Sequence, residues 1–191
     1  MIAGLILAAG GGVRFGPEPK QVAELNGRPL LEYAIAAQCA VPELERVTVV
    51  LGAQAEQVMR AVDFMRAKPV VCTQWRKGQA MSLRRGLEEL RDAEKVLVTL
   101  GDQPLITPTV VARFVGEAPG TRAVYNGRPG HPVVLGREQI DAVMSLIGDR
   151  GARDLLRDCA EIELGSLGDL GRDVDTPEDL ERLRDEARAV V

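Results

Sequence analysis

The sequence predicts an α/β fold of three layers, in which helices cover both faces of a mostly parallel sheet. Apolar runs without alternation, the pattern of strands buried on both faces, recur along the first half of the chain. They cover residues 2–7, 47–51, 70–72 and 96–100. Segments with helical spacing separate these runs, and strand–helix alternation of this kind favours parallel pairing. The 191 residues contain no linker or repeat, so we expect one domain over residues 1–191.

The remaining elements follow from local signals. Helices are predicted near residues 30–38, 54–62, 137–146, 150–158 and 177–189. A further helix is predicted through Leu83, Leu87 and Leu90, and another begins after Thr107. Pro29 is predicted to be an early helical residue, and Thr107 and Thr176 are expected to cap the helices that follow them. Residues 121–135 predict two strands around the turn Asn126-Gly127, at least one of them antiparallel, and a last strand is expected near 161–164.

Composition excludes several classes of function. A net charge of −4 argues against a general nucleic-acid or anionic-membrane partner, and six aromatic residues are too few for base-stacking platforms. No apolar stretch approaches the ~20 residues of a membrane span. The three cysteines are far apart and there is one histidine, which predicts reduced thiols and no zinc site. We therefore expect a cytoplasmic protein.

The first strand runs into a glycine loop that favours an anion. Gly10, Gly11 and Gly12 allow backbone N–H groups to approach a ligand, and Arg14 and Lys20 supply counter-charges. The loop does not match the dinucleotide fingerprint, because Phe15 stands at the position of the third glycine. It does not match the Walker A pattern either, since a proline follows the last glycine. The two cations favour polyphosphate binding over a simple glycine-rich turn.

Two aspartates lie at positions where a metal could bind. Asp102 ends a hydrophobic strand, where a carboxylate is costly without a partner, although it could also form a turn before Pro104. Asp175 precedes the last helix and could be a simple N-cap. If both reach the same edge of the sheet, they could hold one Mg²⁺ together with waters and phosphate oxygens.

Two further segments have open interpretations. His131 lies between Gly130 and Pro132 and could be a structural histidine or a substrate contact. Residues 148–153 combine backbone N–H groups at a helix start with two arginines. Taken alone, this segment is more typical of an ordinary loop than of a second anion site.

Five segments together resemble the nucleotidyltransferases of the molybdenum cofactor, most closely the members that transfer a cytidylyl group. They occur in the family's order and cover nearly the whole chain. The segments are Leu7-Ala8-Ala9-Gly10 with Arg14, Gly16 and Lys20; Gly101-Asp102-Gln103-Pro104-Leu105; Gly130-His131-Pro132-Val133; Gly148-Asp149-Arg150-Gly151-Ala152-Arg153; and Asp173-Val174-Asp175-Thr176-Pro177-Glu178-Asp179-Leu180.

The resemblance implies a glycosyltransferase-A-like fold, as in nucleotide-diphospho-sugar transferases, and Mg²⁺-dependent nucleotidyl transfer with release of pyrophosphate. By matching positions, catalysis would rest on Arg14, Lys20 and Asp102, and the metal ligands would be Asp102 and Asp175. The nucleotide would be bound by Leu7, Ala8, Ala9, Gly10, Gly11, Gly12, Arg14, Lys20, Gly78 and Ser82. His131, Gly151 and Arg153 would face the acceptor, a pterin phosphate.

The base and the acceptor leave alternatives open. Ala8-Ala9-Gly10 is similar to the cytidylyl members, and the methyl group of Ala9 would crowd a purine, which favours CTP. A guanylyltransferase of the same family is one alternative. Another is a cytidylyltransferase for a sugar or polyol phosphate such as methylerythritol phosphate, whose family the segment Glu18-Pro19-Lys20-Gln21 resembles. A nucleotide-binding chaperone that delivers the cofactor to a client molybdoenzyme, without turnover, is the non-enzymatic alternative.

Overall fold

The structure is a computed structural model that describes residues 1–144, 156, 159–165 and 170–189. Its strands are β1 (Ile2–Ala8), β2 (Glu24–Leu25), β3 (Arg28–Pro29), β4 (Leu44–Leu51), β5 (Lys68–Val71), β6 (Lys95–Leu100), β7 (Arg122–Tyr125), β8 (Arg128–Gly136) and β9 (Glu161–Glu163). Its helices are α1 (Leu30–Cys39), α2 (Ala55–Ala61), α3 (Gln79–Glu89), α4 (Pro108–Val115), α5 (Arg137–Val143) and α6 (Pro177–Ala189). Short 3-10 turns cover Lys20–Val22 and Trp75–Lys77.

Seven strands form one sheet in the order β5-β4-β1-β6-β8-β7-β9. The pairs β4–β5, β1–β4, β1–β6 and β7–β9 are parallel, whereas β8 is antiparallel to both of its neighbours. The predicted mostly parallel sheet is confirmed, and so is the antiparallel strand expected within residues 121–135.

Helices cover both faces of this sheet. One apolar cluster places α1, α2 and α4 against the first face through residues such as Leu31, Val58 and Phe114. A second cluster places α3 and α5 against the opposite face through residues such as Leu83 and Ile140. The fold is therefore the predicted three-layer α/β/α arrangement. Among the residues that the structure describes, no helix is long and apolar enough to cross a bilayer.

The register aligns the carboxyl ends of the central strands. Ala8 at the end of β1 pairs with Leu51 at the end of β4, which in turn pairs with Val71 at the end of β5. On the other side, Leu7 pairs with Leu100, the last residue of β6. The chain leaves β1 towards β4 and later returns on its other side as β6, so strand order reverses at β1. In open α/β sheets, ligands bind beyond the strand ends at such a reversal.

Two local predictions are corrected or fall outside the description. Pro29 is not helical: its φ of −52° and ψ of 137° are extended, because it pairs with Glu24 in the hairpin of β2 and β3. The helix predicted over 150–158 includes residues that the structure does not describe. The cap predicted for α4 is confirmed, because the Thr107 hydroxyl accepts a hydrogen bond from the N–H of Val110.

Candidate active site

A cavity of about 600 Å³ opens at the edge where the central strands end. Its wall includes every residue that the sequence predicts for the nucleotide and the metal: Leu7, Ala8, Ala9, Gly10, Gly11, Gly12, Arg14, Lys20, Gly78, Ser82, Asp102 and Asp175. It also includes Val13, Gln21, Leu30, Trp75, Arg76, Gln79, Leu100 and Gly101. Residues from widely separated parts of the sequence thus meet in one concave site.

The carbonyl groups of the glycine loop already have protein partners. The side-chain amide of Gln21 donates to the carbonyl of Ala8 at 2.8 Å and to that of Gly10 at 3.4 Å. The N–H of Ala53 donates to the carbonyl of Ala9 at 3.3 Å, and a tight turn joins the N–H of Phe15 to the carbonyl of Gly12 at 2.7 Å. Most loop carbonyls are therefore occupied and fixed in direction.

The N–H groups of the same loop have no such partners. Within the described part of the chain, no group accepts a hydrogen bond from the N–H of Gly10, Gly11 or Gly12. Gly10 is exposed, and a Cβ built on it would meet no atom within 4 Å. A run of N–H groups at the edge of a cavity, with its carbonyls held elsewhere, is an arrangement that suits an anion.

Trp75 supports the loop from the neighbouring turn. A Cβ on Gly11 would lie 3.0 Å from the indole ring, and a Cβ on Gly52 would lie 2.8 Å from the Trp75 side chain and 2.3 Å from the carbonyl of Ala9. Gly52 therefore requires glycine, while a side chain at position 11 would press on the indole ring. The guanidinium of Arg76 lies 4.7 Å from the centre of the indole ring. The indole thus packs against the phosphate-type loop while also lining the cavity.

Lys20 lies between the two predicted metal ligands. Its ammonium nitrogen is 2.6 Å from Oδ2 of Asp102 and 3.1 Å from Oδ1 of Asp175, and it donates to the carbonyl of Val174 at 3.3 Å. Its side chain is 11% exposed. Burial lowers the pKa of Lys20, but the charges and hydrogen bonds of the two aspartates outweigh burial and raise the pKa above its usual value. Lys20 is therefore a charged residue at neutral pH.

Arg14 completes the charge pattern at the mouth of the cavity. One of its guanidinium nitrogens lies 2.9 Å from Oδ2 of Asp175, and the side chain is 73% exposed. An ion pair this exposed contributes little to stability. Arg14 does, however, place a positive charge at the cavity wall, where it could meet an anion.

The structure distinguishes between the two interpretations of Asp175. Helix α6 is capped by Thr176 and Asp179: the N–H of Asp179 donates to Oγ1 of Thr176 at 3.2 Å, and the N–H of Thr176 donates to the carboxylate of Asp179 at 2.8 Å. The carboxylate of Asp175 contacts Lys20 and Arg14 instead. It is therefore not the N-cap of this helix, and both of its oxygens face the cavity's cations.

The carboxylates fit a divalent cation. Asp102 lies beside the cavity with one oxygen on Lys20, while its other oxygen, Oδ1, is buried and has no hydrogen-bond partner in the structure. A buried carboxylate oxygen without a partner is costly, and a hard cation is one group that would satisfy it. No group of three or more acidic, histidine or cysteine side chains suitable for a metal occurs among the described residues. Asp102 and Asp175 would thus be the protein's share of a site completed by phosphates and waters.

Gln103 joins the two loops that carry these carboxylates. Its buried side-chain amide donates to the carbonyl of Gly171 at 3.0 Å and to Oδ1 of Asp173 at 2.8 Å. The backbone adds a third link, because the N–H of Val174 donates to the carbonyl of Asp102 at 2.9 Å. The spacing between Asp102 and Asp175 is therefore set by these contacts.

Asp173 is close enough to the two cavity carboxylates for their charges to affect its pKa. Burial raises its pKa to about 6, and the negative charges of Asp102 and Asp175 act in the same direction, while the donor of Gln103 opposes them. It does not line the cavity. Its charge is nevertheless part of the field in which Asp102 and Asp175 act.

Of the residues predicted to face the acceptor, one does not line this cavity and two are not described by the structure. His131 is 6% exposed on β8, and its carbonyl accepts a hydrogen bond from the Tyr125 hydroxyl at 2.6 Å. Burial raises the pKa of Tyr125, which keeps this hydroxyl a donor. Gly151 and Arg153 fall among the residues that the structure does not describe. The cavity therefore brings together the residues predicted for the nucleotide and the metal, and His131 does not line it.

Comparisons with known proteins find relatives over nearly the whole chain. The family model of the MobA-like NTP transferase domain matches residues 4–164. The nicotine blue oxidoreductase of Paenarthrobacter nicotinovorans is 34% identical over 202 residues, which cover 95% of this chain and 96% of that protein.

Solved structures are similar over the same length. The Mycobacterium sp. strain JC1 homologue of Mycobacterium tuberculosis rv0371c has a TM-score of 0.83 and 28% identity, and the match covers 100% of this chain and 98% of that one. Rv0371c of Mycobacterium tuberculosis H37Rv in complex with manganese has a TM-score of 0.77 and 27% identity, with 96% and 98% covered. From the family model and the full-length relative, we conclude that the chain belongs to the family of MobA-like NTP transferase domains and is a nucleotidyltransferase.

Proposed function

We propose that the enzyme transfers CMP from CTP to the phosphate of a molybdopterin-type pterin and releases pyrophosphate. The observation that carries the proposal is that three features meet in one cavity: a glycine loop whose N–H groups have no acceptor among the described residues, Lys20, and two carboxylates. These are the parts that in-line displacement at a phosphate requires: positioning, cations, and a place for a divalent metal.

In this reaction, an oxygen of the acceptor phosphate forms a bond to the α-phosphorus of CTP, and the bond to the β-phosphate breaks. The acceptor oxygen is already ionised, so no strong general base is needed. The N–H groups of Gly10, Gly11 and Gly12 would bind the triphosphate oxygens, and Arg14 and Lys20 would offset the charge that develops on the departing pyrophosphate. A Mg²⁺ ion at Asp102 and Asp175 would supply further charge neutralisation at the phosphates.

The choice of CTP rests on Ala9. This residue is 4% exposed and forms part of the wall of the same cavity as Gly78 and Ser82, which are proposed to contact the nucleoside. Its neighbours hold it in place, since its carbonyl contacts Ala53 and a Cβ on Gly52 would collide with that carbonyl. A fixed methyl group narrows the space for a base, and one methyl discriminates by about 1–3 kcal/mol.

The pterin acceptor rests on the resemblance of His131 and of Gly151 and Arg153 to acceptor positions in the molybdenum-cofactor enzymes. A cytoplasmic enzyme of this kind would pass its product to a client molybdoenzyme. The manganese complex of a similar structure supports a divalent cation in this family of folds.

The test is transfer of label. Purified protein is mixed with CTP labelled at the α-phosphate, Mg²⁺ and molybdopterin, and both pyrophosphate and labelled pterin are measured. We expect both products in equal amounts. Replacing CTP by GTP, or molybdopterin by methylerythritol phosphate, should lower the rate by at least about tenfold. Equal rates with GTP would refute the base assignment, and tight CTP binding without pyrophosphate release would favour the chaperone alternative.

A redox activity is the second candidate, because a protein named as an oxidoreductase is 34% identical over nearly the whole chain. The same N–H groups could bind the pyrophosphate of a dinucleotide hydride donor. Thermal shift with NADH, NADPH and CTP distinguishes the two candidates. Our proposal predicts stabilisation by CTP with Mg²⁺, and stabilisation by a reduced dinucleotide alone would favour the redox candidate.

A further inference from the structure

Gln21 is a buried polar residue of the cavity wall that lies outside the set predicted for nucleotide and metal. It is 4% exposed and lies in the 3-10 turn directly after Lys20. Its side-chain nitrogen donates to the carbonyls of Ala8 and Gly10, at 2.8 Å and 3.4 Å. One side chain thus takes up two carbonyl groups of the glycine loop.

The direction of a carbonyl fixes the direction of the next N–H. In a trans peptide unit, the C=O and the following N–H lie in one plane and point in opposite directions. Holding the carbonyl of Ala8 therefore orients the N–H of Ala9, and holding the carbonyl of Gly10 orients the N–H of Gly11. Glycine can adopt almost any backbone conformation, so the peptide units of this loop could turn at low cost without such a restraint.

We propose that Gln21 is a positioning residue that fixes the polarity of the phosphate loop, keeping its carbonyl oxygens away from the cavity and its N–H groups towards the ligand. The inference rests on the proposed binding of a triphosphate in this cavity. Without the amide, the carbonyl oxygens of Ala8 and Gly10 would be free to turn towards the cavity. They would then repel phosphate oxygens where N–H groups should bind them.

The residue before Gln21, Lys20, contacts the other half of the cavity. Lys20 reaches Asp102 and Asp175, while Gln21 reaches the glycine loop. Two consecutive residues of one short turn therefore contact the two halves of the site. A shift of this turn would change both halves together.

Gln38 provides a matched control. It is also a fully buried glutamine whose amide donates to a carbonyl of β1, that of Leu5 at 3.4 Å, and to the hydroxyl of Thr99 at 2.9 Å. It does not line the cavity. Gln21→Met and Gln38→Met each remove a side-chain amide that donates to a carbonyl of β1. The first lies beside the glycine loop and the second lies in the core.

The experiment measures binding of inorganic tripolyphosphate, CTP and cytidine by calorimetry and by the fluorescence of Trp75, the single tryptophan, which lines the cavity. Gln21→Met should weaken tripolyphosphate and CTP by about tenfold, the effect of losing one or two hydrogen bonds in a closed site. Its affinity for cytidine should stay within about twofold of wild type. Gln38→Met should lower the melting temperature without weakening tripolyphosphate.

Gln21→Glu is the second variant, since it keeps the shape and replaces the donor by a carboxylate. It should weaken tripolyphosphate more than Gln21→Met does. Unchanged tripolyphosphate affinity in a folded Gln21 variant would overturn the inference and leave the proposed function standing. Weakened tripolyphosphate binding in a protein that transfers no nucleotide would support the inference while refuting the proposed function. Equal loss of cytidine and tripolyphosphate would show a general structural effect and overturn the positioning role.

Discussion

The two halves of the cavity are built in different ways. The glycine loop is held through its backbone: Gln21, Ala53 and Phe15 donate to its carbonyls, while its N–H groups remain available. The carboxylate half is held through side chains, with Lys20 bound to both Asp102 and Asp175. The first half is ready for an anion as it stands. The second is neutralised by a lysine that a metal would have to replace.

Because of this difference, we expect metal binding at the carboxylates to depend on the nucleotide. Since Lys20 and Arg14 contact three of the four carboxylate oxygens of Asp102 and Asp175, a metal ion alone would compete with two positive charges. A triphosphate offers these side chains other negative charges, so it would favour the metal's access to the carboxylates. We therefore expect metal and nucleotide to bind cooperatively.

The largest effect is expected from the carboxylate half. Asp102→Asn keeps the shape but removes the charge, so metal-dependent pyrophosphate release should fall by about 100-fold or more. Binding of Mn²⁺ in the presence of CTP, measured by electron paramagnetic resonance, should weaken with it. The melting temperature should change little.

Asp92→Asn is the matched control, because Asp92 is an exposed aspartate paired with Arg46 far from the cavity. It should keep full turnover. Wild-type turnover in Asp102→Asn would remove this residue from the metal site.

Removal of the Lys20 charge should lower turnover but strengthen the binding of the metal alone. Lys20→Ala should lower turnover by about 100-fold, because the charge near the phosphates is lost. The same variant should bind Mn²⁺ more tightly in the absence of nucleotide, by about tenfold, since the competing ammonium is gone. Lys68→Ala, at a surface lysine paired with Glu89, should change neither. Weaker Mn²⁺ binding by Lys20→Ala would contradict the competition.

A smaller effect is expected at the base. Ala9→Gly removes one methyl group from the cavity wall and should shift the ratio of CTP to GTP turnover towards GTP by about tenfold, within the range of a single methyl. Steady-state kinetics with both nucleotides measure the ratio. An unchanged ratio would place base selection elsewhere in the cavity.

The smallest effect is the contribution of Asp173 to the pH dependence of the free energy of unfolding. Because its pKa is raised to about 6, the protonated form favours folding. This contribution to stability is fully present below about pH 4, the ordinary value, and is lost as the pH rises through 6. The carboxyl group is enclosed enough for burial to raise its pKa, but the residue as a whole is exposed, so solvent screens the effect on stability to less than about 1 kcal/mol.

Asp173→Asn keeps an acceptor for Gln103 and removes the titration. Urea unfolding should show that the variant is slightly more stable than wild type at pH 7.5 and equal to it at pH 4. A variant that is less stable at pH 7.5 would mean that the Asp173 charge stabilises the fold.

The sequence predicts the two halves unequally, and the reason is physical. The glycine loop is a local pattern: buried strand, glycines and cations lie within twenty residues, so its role can be inferred from neighbours. The partners of Lys20 are 82 and 155 residues away. They meet through the end of β6 and through the contacts of Gln103 and Val174, which join the two loops. The choice between N-cap and cavity ligand for Asp175 needed the observed contacts of Thr176 and Asp179.

Three residues of the site were missed because their roles depend on what they contact. Gln21 and Gln103 act by donating to carbonyls of distant segments, which composition does not reveal. Trp75 is an apolar side chain in a polar loop, which the sequence alone does not explain. The structure does explain it, because Gly11 and Gly52 pack closely against the indole. His131 could be placed on a strand from the sequence, but its burial followed only from the structure.

The most direct test of the central claim is the coupling between CTP and metal. Mn²⁺ affinity is measured by electron paramagnetic resonance with and without CTP, and CTP affinity by Trp75 fluorescence with and without Mn²⁺. If the glycine loop and the carboxylates form one site, each ligand should tighten the other by the same factor, about tenfold or more. Independent binding of the two ligands would contradict the account.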